Sequence, residues 1–329
     1  MSPRFAKNIR FTKEAVVDLD YLIFLQGIRN DWGGEGLFTL ISNLPKSALT
    51  AAIPAILFWC FNKQAGIFIL FNATCGRVIN ELIKGTLCVY RPWIKDAGLI
   101  PSAEALKEAS EYSFPSGHTQ FTTAVYGGLA FFYRKVLPLM IIPCGLIVLL
   151  VAFSRNFLGV HTPQDVIVAI AYSIGLFFVV EKIFAWIGKD KERQVLFFLG
   201  GLIICLVVFL WLYFKPYPEE FLNGKIIVDP LKARADAFDA LGFGLAFFLG
   251  WFLEQRFINF SIKISFKDRL WRIIIGFAIL GVIAVVIYPI MKVLFSVEAY
   301  KFFKAFLPFF SILFIIPLIF TKVEKRFKH

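Results

Sequence analysis

The feature that most constrains this chain is a succession of apolar stretches, each about as long as a membrane crossing requires. A helix needs about 20 mostly apolar residues to cross a bilayer. Of the 329 residues, 58% are hydrophobic and only 18% are charged, whereas a soluble domain is about half apolar and a quarter charged. The sequence therefore predicts an all-α, polytopic transmembrane helix bundle of about nine spans, at residues 46–62, 65–87, 116–134, 136–157, 163–186, 195–213, 235–255, 270–292 and 301–321.

The first part of the chain has a different pattern. Residues 15–32 mix apolar side chains with charges at helical spacing, which predicts an N-terminal helix lying flat in the membrane interface. We divide the chain into a membrane core, residues 1–187, and a C-terminal membrane extension of about four spans, residues 188–329. Two long connections, 93–114 and 214–234, are typical of lids or binding loops.

The net charge of +12 at first suggests a nucleic-acid partner. Lys and Arg gather at the ends of the apolar stretches, however, where cytoplasmic flanks and headgroup anchors occur. We therefore expect no nucleic-acid partner. The basic loops 188–193 and 256–269 and the C-terminal tail are assigned to the cytoplasm. The chain is expected in a bacterial plasma membrane, with the long connections 93–114 and 214–234 on the side away from the cytoplasm.

The histidines are the first indication of chemistry. The terminal His329 is expected to be a solvated tail residue, which leaves His118 and His161, each at the start of an apolar helix. A single membrane histidine is commonly a packing or interhelical hydrogen-bonding residue. Two at helix mouths, near cations, indicate a reactive pocket.

Two cations precede the first of these histidines. Lys84 and Arg91 lie seven residues apart, so they share a helix face if the second span continues to Pro92. Taken alone, the pair is explained by cations that extend from a helix end to lipid headgroups.

The segment SFPSGHT begins the third span. Pro115 and Ser116 open the helix, and Gly117 permits another group to approach the backbone closely. The free N–H groups of a helix N-terminus form an anion site, and His118 lies in that first turn. An ordinary Ser/Pro helix start is the simpler explanation.

The segment SRNFLGVHTPQD, residues 154–165, places Arg155 and His161 on either side of a turn that contains Gly159. Asp165 follows His161 by four residues, so its carboxylate can reach the ring. A carboxylate on one imidazole nitrogen fixes the tautomer and leaves the other nitrogen free to attack. A capped helix with a structural His–Asp pair would give the same pattern.

Together the three segments favour phosphoryl transfer. The alternation of spans puts all three on one membrane face, where three cations and two N–H-rich turns surround two imidazoles. Phosphoryl transfer needs cations and N–H groups around the equatorial oxygens, a nucleophile in line and an acid for the leaving oxygen.

The three motifs KxxxxxxRP, PSGH and SRxxxxxHxxxD resemble the signature of the type 2 phosphatidic acid phosphatase superfamily. The matching residues are Lys84, Arg91, Pro92, Pro115, Ser116, Gly117, His118, Ser154, Arg155, His161 and Asp165. The resemblance implies that His161 forms a phosphohistidine, oriented by Asp165, and that His118 protonates the leaving oxygen and then activates water. It further implies that the phosphate oxygens are held by Lys84, Arg91, Ser116, Gly117 and Arg155. We expect Glu81 and Ser154 to support these residues from behind.

The expected function is hydrolysis of a lipid phosphate monoester or diphosphate: phosphatidic acid, phosphatidylglycerol phosphate, a polyprenyl diphosphate or a sphingoid-base phosphate. One alternative is a soluble sugar phosphate, since nine spans also resemble the glucose-6-phosphatase branch. Another is a non-catalytic lipid transporter or scramblase. Vanadium haloperoxidases share the pocket but are soluble proteins. We expect no metal or other cofactor, because the pocket has too few carboxylates for Mg²⁺ and its cations take the role of the ion. The expected partners are the lipid phosphate and membrane lipids.

Overall fold

The computed structural model describes residues 13–107, 109, 111–222 and 224–327, and His329 lies outside them. The chain forms a bundle of long helices, and the predicted fold class is confirmed. The principal helices are Lys13–Trp32, Glu35–Asn43, Ala48–Ile56, Lys63–Leu87, Gly117–Thr122, Gly128–Tyr133, Ile141–Phe157, Pro163–Ile187, Lys191–Phe214, Pro230–Leu253, Phe266–Val282, Tyr288–Leu294, Val297–Phe310 and Ile316–Phe327.

Short elements join or interrupt these helices. Two turns of 3₁₀-helix occur at Leu44–Lys46 and Pro138–Met140, and two short helices at Pro92–Lys95 and Ala103–Lys107. The connection between helices Lys191–Phe214 and Pro230–Leu253 carries an antiparallel hairpin, Phe221–Leu222 with Lys225–Ile226. Single π-helical turns lie within five long helices, at Leu57–Phe61, Thr123–Gly127, Glu254–Ile258, Ile283–Ile287 and Ser311–Ile315.

Eight helical stretches of the described residues are long and apolar enough to cross a membrane. The stretch expected at 116–134 is helical from Gly117 to Tyr133 and is shorter than the other eight. The first crossing begins at Glu35 and not at residue 46, because a 3₁₀ turn that includes Pro45 lets the helix continue into Ala48–Ile56. A proline in the first positions of such a turn removes no needed hydrogen bond.

The helix Lys63–Leu87 is the most deeply buried of the membrane helices and forms the centre of the bundle. Its Phe71 ring lies 5.5 Å from the ring of Phe184 in the core and 4.7 Å from that of Phe247 in the extension. The extension therefore packs directly on the helix that carries Lys84.

Within the extension, helix Pro230–Leu253 lies against helix Val297–Phe310. A side chain at Gly242 would place its Cβ only 2.5 Å from the Phe302 carbonyl oxygen. Small residues permit such close backbone approach in membrane helix pairs, so this pair packs more closely than larger side chains would allow.

The N-terminal helix Lys13–Trp32 packs on the end of the core that carries His161. Its Leu19 and Leu22 pack on Leu99, and Arg29 donates a hydrogen bond to the Phe157 carbonyl oxygen at 3.0 Å. The flat orientation of this helix in a membrane interface stays a prediction.

Candidate active site

The imidazole of His161 lies at the centre of the candidate site and is almost fully buried. Its Nδ1 atom lies 3.0 Å from Oδ2 of Asp165. The same carboxylate accepts hydrogen bonds from the Ser113 hydroxyl and, at 3.0 Å, from the Thr162 backbone N–H. Asp165 therefore caps its helix and also holds the histidine ring, so the two explanations of this motif are compatible.

Arg91 lies on the other side of the same ring. Its Nη1 atom is 2.9 Å from His161 Nε2 and donates at 2.9 Å to the Val160 carbonyl oxygen. A guanidinium only donates hydrogen bonds, so Nε2 is the accepting nitrogen and the ring proton lies on Nδ1, facing Asp165. Burial and the adjacent Arg91 charge lower the pKa of His161 to about 3. The ring is therefore neutral at physiological pH.

Arg91 reaches this position by a route that differs from our expectation. The helix ends at Leu87, where Cys88 has a positive φ of 50°, and Arg91 itself is extended. The prediction that Lys84 and Arg91 share one continuous helix face is thus wrong, and Pro92 opens a short helix instead of ending a long one. The chain must leave the helix before it can turn the guanidinium toward His161.

The turn before His161 depends on a glycine. Gly159 has a φ of 71°, in the left-handed region that side chains other than glycine rarely adopt. The turn brings the backbone N–H of His161 to within 3.3 Å of the Arg155 carbonyl oxygen. Asn156 completes the turn by donating to the His161 carbonyl oxygen at 2.8 Å.

The PSGH motif lies against this turn. The backbone N–H of Ser116 donates to the Asp165 carbonyl oxygen at 3.0 Å, and the Ser116 hydroxyl accepts from the Thr119 backbone N–H. A side chain at Gly117 would meet only Arg77 and Asn80, both at an ordinary 3.7 Å. Among the described residues, no protein group makes the close approach to the Gly117 backbone that we expected. We therefore keep a phosphate as the proposed partner of this position.

His118 and Arg155 belong to the same cluster of charges. Arg155, Lys46, His161 and Arg91 all interact electrostatically with His118. The Arg155 guanidinium donates to the Ser42 hydroxyl from the first membrane helix. The two predicted imidazoles and two of the predicted cations therefore lie within electrostatic range of one another.

Lys84 has an anionic partner already. Its Nζ atom lies 2.9 Å from Oε2 of Glu111 and 3.9 Å from Oε1 of Glu81. The attraction of Lys84 holds the pKa of the Glu111 carboxyl well below its usual range. The backbone oxygen of Glu111 accepts from Arg91 Nε at 2.8 Å, so this one residue links Lys84 to Arg91.

Ser154, predicted to support the site, contacts its own helix. Its hydroxyl donates to the Val151 carbonyl oxygen at 2.7 Å, and its backbone oxygen accepts from Leu158 N at 3.0 Å. Glu81, predicted in the same role, lies behind Lys84 and pairs with Arg77 at 2.9 Å.

The extension contributes charges to this network. Asp239 accepts two hydrogen bonds from Arg77, at 2.9 and 2.7 Å, and Asp236 pairs with Lys301. Glu81, Glu111 and Asp236 each place a carboxylate oxygen within 4.8 Å of the others, close enough to hold a cation. Arg77, Lys84 and Lys301 pair with these three carboxylates, so the cluster is already neutralised by side chains.

Sequence reasoning missed several residues that contact the site. Ser113 lies two residues before the PSGH motif, and this hydroxyl close to the motif is the one signal that could have identified a missed residue. Glu111 and Ser42 carry no motif and come from segments distant in the chain. Asp236 and Asp239 likewise belong to no motif and lie in the extension, far from the core segments in the chain.

Comparison with known proteins identifies two family models that match the chain. A family model described as PAP2 superfamily matches residues 65–189, and one described as PAP2 superfamily phosphatase, transmembrane extension, matches residues 238–326. The chain is 32% identical over 177 residues to phosphatidylglycerophosphatase B of Bacillus subtilis (strain 168), which covers 50% of this chain and 82% of that protein. It is 33% identical over 136 residues to undecaprenyl-diphosphatase BcrC of the same strain, which covers 39% of this chain and 65% of that protein.

Among solved structures, a crystal structure of a transmembrane PAP2-type phosphatidylglycerolphosphate phosphatase from Bacillus subtilis resembles the chain with a TM-score of 0.45 and 27% sequence identity. The match covers 56% of this chain and 92% of that one. The division of the chain at residue 187 stays a prediction.

Proposed function

Because this chain belongs to the PAP2 superfamily and is an integral membrane phosphatase, a phosphoric ester hydrolase, we propose that its substrate is phosphatidylglycerol phosphate and that His161 is its nucleophile. The observation that carries the chemistry is the ring of His161, held at Nδ1 by Asp165 and approached at Nε2 by Arg91. The relative named phosphatidylglycerophosphatase B supports the choice of substrate.

In the first step, Nε2 of His161 attacks phosphorus and the bond from phosphorus to the lipid oxygen breaks. Asp165 stabilises the charge that develops on the imidazole. Protonated His118 donates its proton to the leaving oxygen and releases the dephosphorylated lipid. The Arg91 N–H that contacts Nε2 switches its hydrogen bond to an equatorial phosphate oxygen, which frees the Nε2 lone pair, and Arg91 stays protonated throughout.

In the second step, water attacks the phosphohistidine. Neutral His118 accepts the proton of that water, the P–N bond breaks, and inorganic phosphate leaves with both histidines restored. Lys84, Arg91, Arg155, Ser116 and the Gly117 N–H stabilise the oxygens in both steps. Before the substrate arrives, Glu111 compensates the charge of Lys84. When the phosphate binds, Lys84 must exchange its contact with Glu111 for a contact with the phosphate.

A lipid diphosphate is the second candidate substrate. The relative named undecaprenyl-diphosphatase BcrC favours it, and in-line attack on the terminal phosphorus would use the same residues. Hydrolysis of a lipid monophosphate and of a lipid diphosphate would therefore use the same catalytic groups. The rates of phosphate release from the two substrates distinguish between them.

The site is proposed to face away from the cytoplasm. Basic residues mark the opposite end of the bundle: Arg134 ends the helix that begins beside His118, and Lys189 and Lys191 follow the helix that begins beside Asp165. Cytoplasmic loops carry an excess of Lys and Arg. This arrangement supports substrate entry from the outer leaflet of a bacterial plasma membrane.

Phosphate release from the full-length protein in detergent micelles tests the proposal. We would compare phosphatidylglycerol phosphate, undecaprenyl diphosphate and glucose 6-phosphate at equal concentration, with His161→Ala as the inactive control. Fastest release from phosphatidylglycerol phosphate, lost in the variant at an unchanged unfolding temperature, is the expected result. Equal turnover of glucose 6-phosphate would favour the sugar phosphatase, and lipid binding without phosphate release would favour a transporter.

A further inference from the structure

A large cavity lies at the opposite end of the bundle from His161. Its volume is about 900 Å³, within the range of about 300–1,000 Å³ for ligand sites. We call it the rear cavity, and it is lined by residues of both core and extension. Helix Pro163–Ile187 has 25 residues, begins beside His161 and ends at the rear cavity. At about 1.5 Å per residue, the cavity and the catalytic residues are separated by roughly the thickness of a bilayer.

The interior of the rear cavity is aromatic. Phe68, Phe131, Phe132, Phe184 and Trp251 line it. Side chains of this kind offer apolar surface to a hydrocarbon chain.

The rim of the rear cavity is basic. Four cations and one carboxylate line it: Lys63, Arg134, Lys189, Lys191 and Glu181. Two of the cations are compensated, since Arg134 Nη2 lies 2.7 and 2.9 Å from the Glu181 oxygens and Lys63 lies 2.6 Å from Glu254.

The other two cations are available to a ligand. Lys189 and Lys191 are exposed, and no carboxylate of the described residues lies within ion-pair distance of either. The helix before them ends at Ile187, and Gly188 turns the chain across the rim with a φ of 50°. Both lysines therefore stand at the mouth of an apolar cavity.

We propose that the rear cavity binds an anionic phospholipid that is not the substrate being hydrolysed. Its phosphodiester contacts Lys189 and Lys191, and an acyl chain packs against Phe132, Phe184 and Trp251. Basic pockets between membrane helices on the cytoplasmic side bind anionic headgroups in this way, because that leaflet presents anionic lipid and each lysine near its surface adds attraction. The binding requires no catalytic residue and is independent of the proposed hydrolysis.

The test is the unfolding temperature of the full-length protein in detergent with added phosphatidylglycerol or phosphatidylcholine. The wild type should be stabilised more by phosphatidylglycerol, because a ligand that binds only the folded state raises its stability. The double variant Lys189→Gln/Lys191→Gln should lose most of that difference, with an affinity about tenfold to thirtyfold lower. The matched control is Lys263→Gln/Lys267→Gln, two exposed lysines in the next loop at the same end, and it should behave as the wild type.

Three outcomes would overturn the proposal. The first is an unchanged lipid effect in Lys189→Gln/Lys191→Gln, and the second is an equal loss in the control pair, which would indicate only general charge attraction. The third is a loss in Arg91→Gln with retention in Lys189→Gln/Lys191→Gln, which would place the lipid in the catalytic site. The experiment measures the unfolding temperature and not phosphate release. Each outcome can therefore be interpreted even if the proposed hydrolysis is wrong.

Discussion

The Nη1 atom of Arg91 lies 2.9 Å from Nε2 of His161, on the nitrogen that is proposed to attack phosphorus. Asp165 lies on the opposite side of the ring, 3.0 Å from Nδ1. The imidazole is thus oriented by an anion and approached by a cation. Burial and Arg91 keep the ring neutral by lowering its pKa, and the contacts at both nitrogens fix which one carries the lone pair. Both conditions are needed by a nucleophile.

Arg91→Gln should lower kcat/KM about a hundredfold to a thousandfold, because one charged donor to the phosphate oxygens is lost. It should also change the pH profile. Burial and then Arg91 lower the pKa of His161 to about 3, so removing the cation lets that pKa rise. A protonated imidazole cannot attack, and the acid limb of kcat/KM should therefore move to higher pH. Arg256→Gln, an exposed arginine at the other end of the bundle, is the control. A pH profile in which kcat/KM is lower at every pH but the acid limb stays in place would contradict the role of Arg91 in lowering the pKa of His161.

Asp165→Asn should lower kcat about a thousandfold to ten-thousandfold with little change in KM, because the amide cannot stabilise the imidazolium or enforce its tautomer. Ser113→Ala removes only a hydroxyl donor to the same carboxylate and should lower kcat about tenfold. Steady-state kinetics of both variants, with their unfolding temperatures, would check this order. A rise in KM at normal kcat would instead assign Asp165 to substrate binding.

The sequence was most informative where spacing along one segment carries the geometry. His161 and Asp165 are four residues apart across the start of helix Pro163–Ile187, so their contact was predictable. Lys84 and Arg91 each contact Glu111, but they do not share one helix face, since the helix stops at Leu87. Glu111 lies in the connection 93–114, which shows no periodicity, and local patterns therefore could not place it beside Lys84. Contacts that join distant segments depend on the packing of the whole bundle.

Metal removal should leave activity unchanged. The phosphate charge is proposed to be neutralised by Lys84, Arg91 and Arg155, which act in place of a divalent ion. Phosphate release would be measured with excess EDTA, and again after Mg²⁺ is restored. Loss of activity with EDTA and recovery with Mg²⁺ would contradict the prediction. It would direct attention to the carboxylates of Glu81, Glu111 and Asp236, and Asp236→Asn should then lower the Mg²⁺ affinity.

The last prediction concerns the extension. Asp239 holds Arg77 through two hydrogen bonds, Arg77 pairs with Glu81 at 2.9 Å, and Glu81 lies 3.9 Å from Lys84. Asp239→Asn should let Arg77 shift toward Glu81 and so weaken the positioning of Lys84. We expect KM for the lipid phosphate to rise about threefold to tenfold while kcat changes less than twofold, which corresponds to a coupling of about 1 kcal/mol.

Glu219→Gln is the matched control for this variant, since Glu219 is an exposed carboxylate in the connection 214–234 of the same extension. It should leave KM unchanged. If Asp239→Asn lowers only the unfolding temperature, the ion pair stabilises the packing of extension on core without affecting Lys84. If KM rises as expected, the extension takes part in phosphate binding, because its carboxylate reaches the phosphate-binding lysine through Arg77 and Glu81.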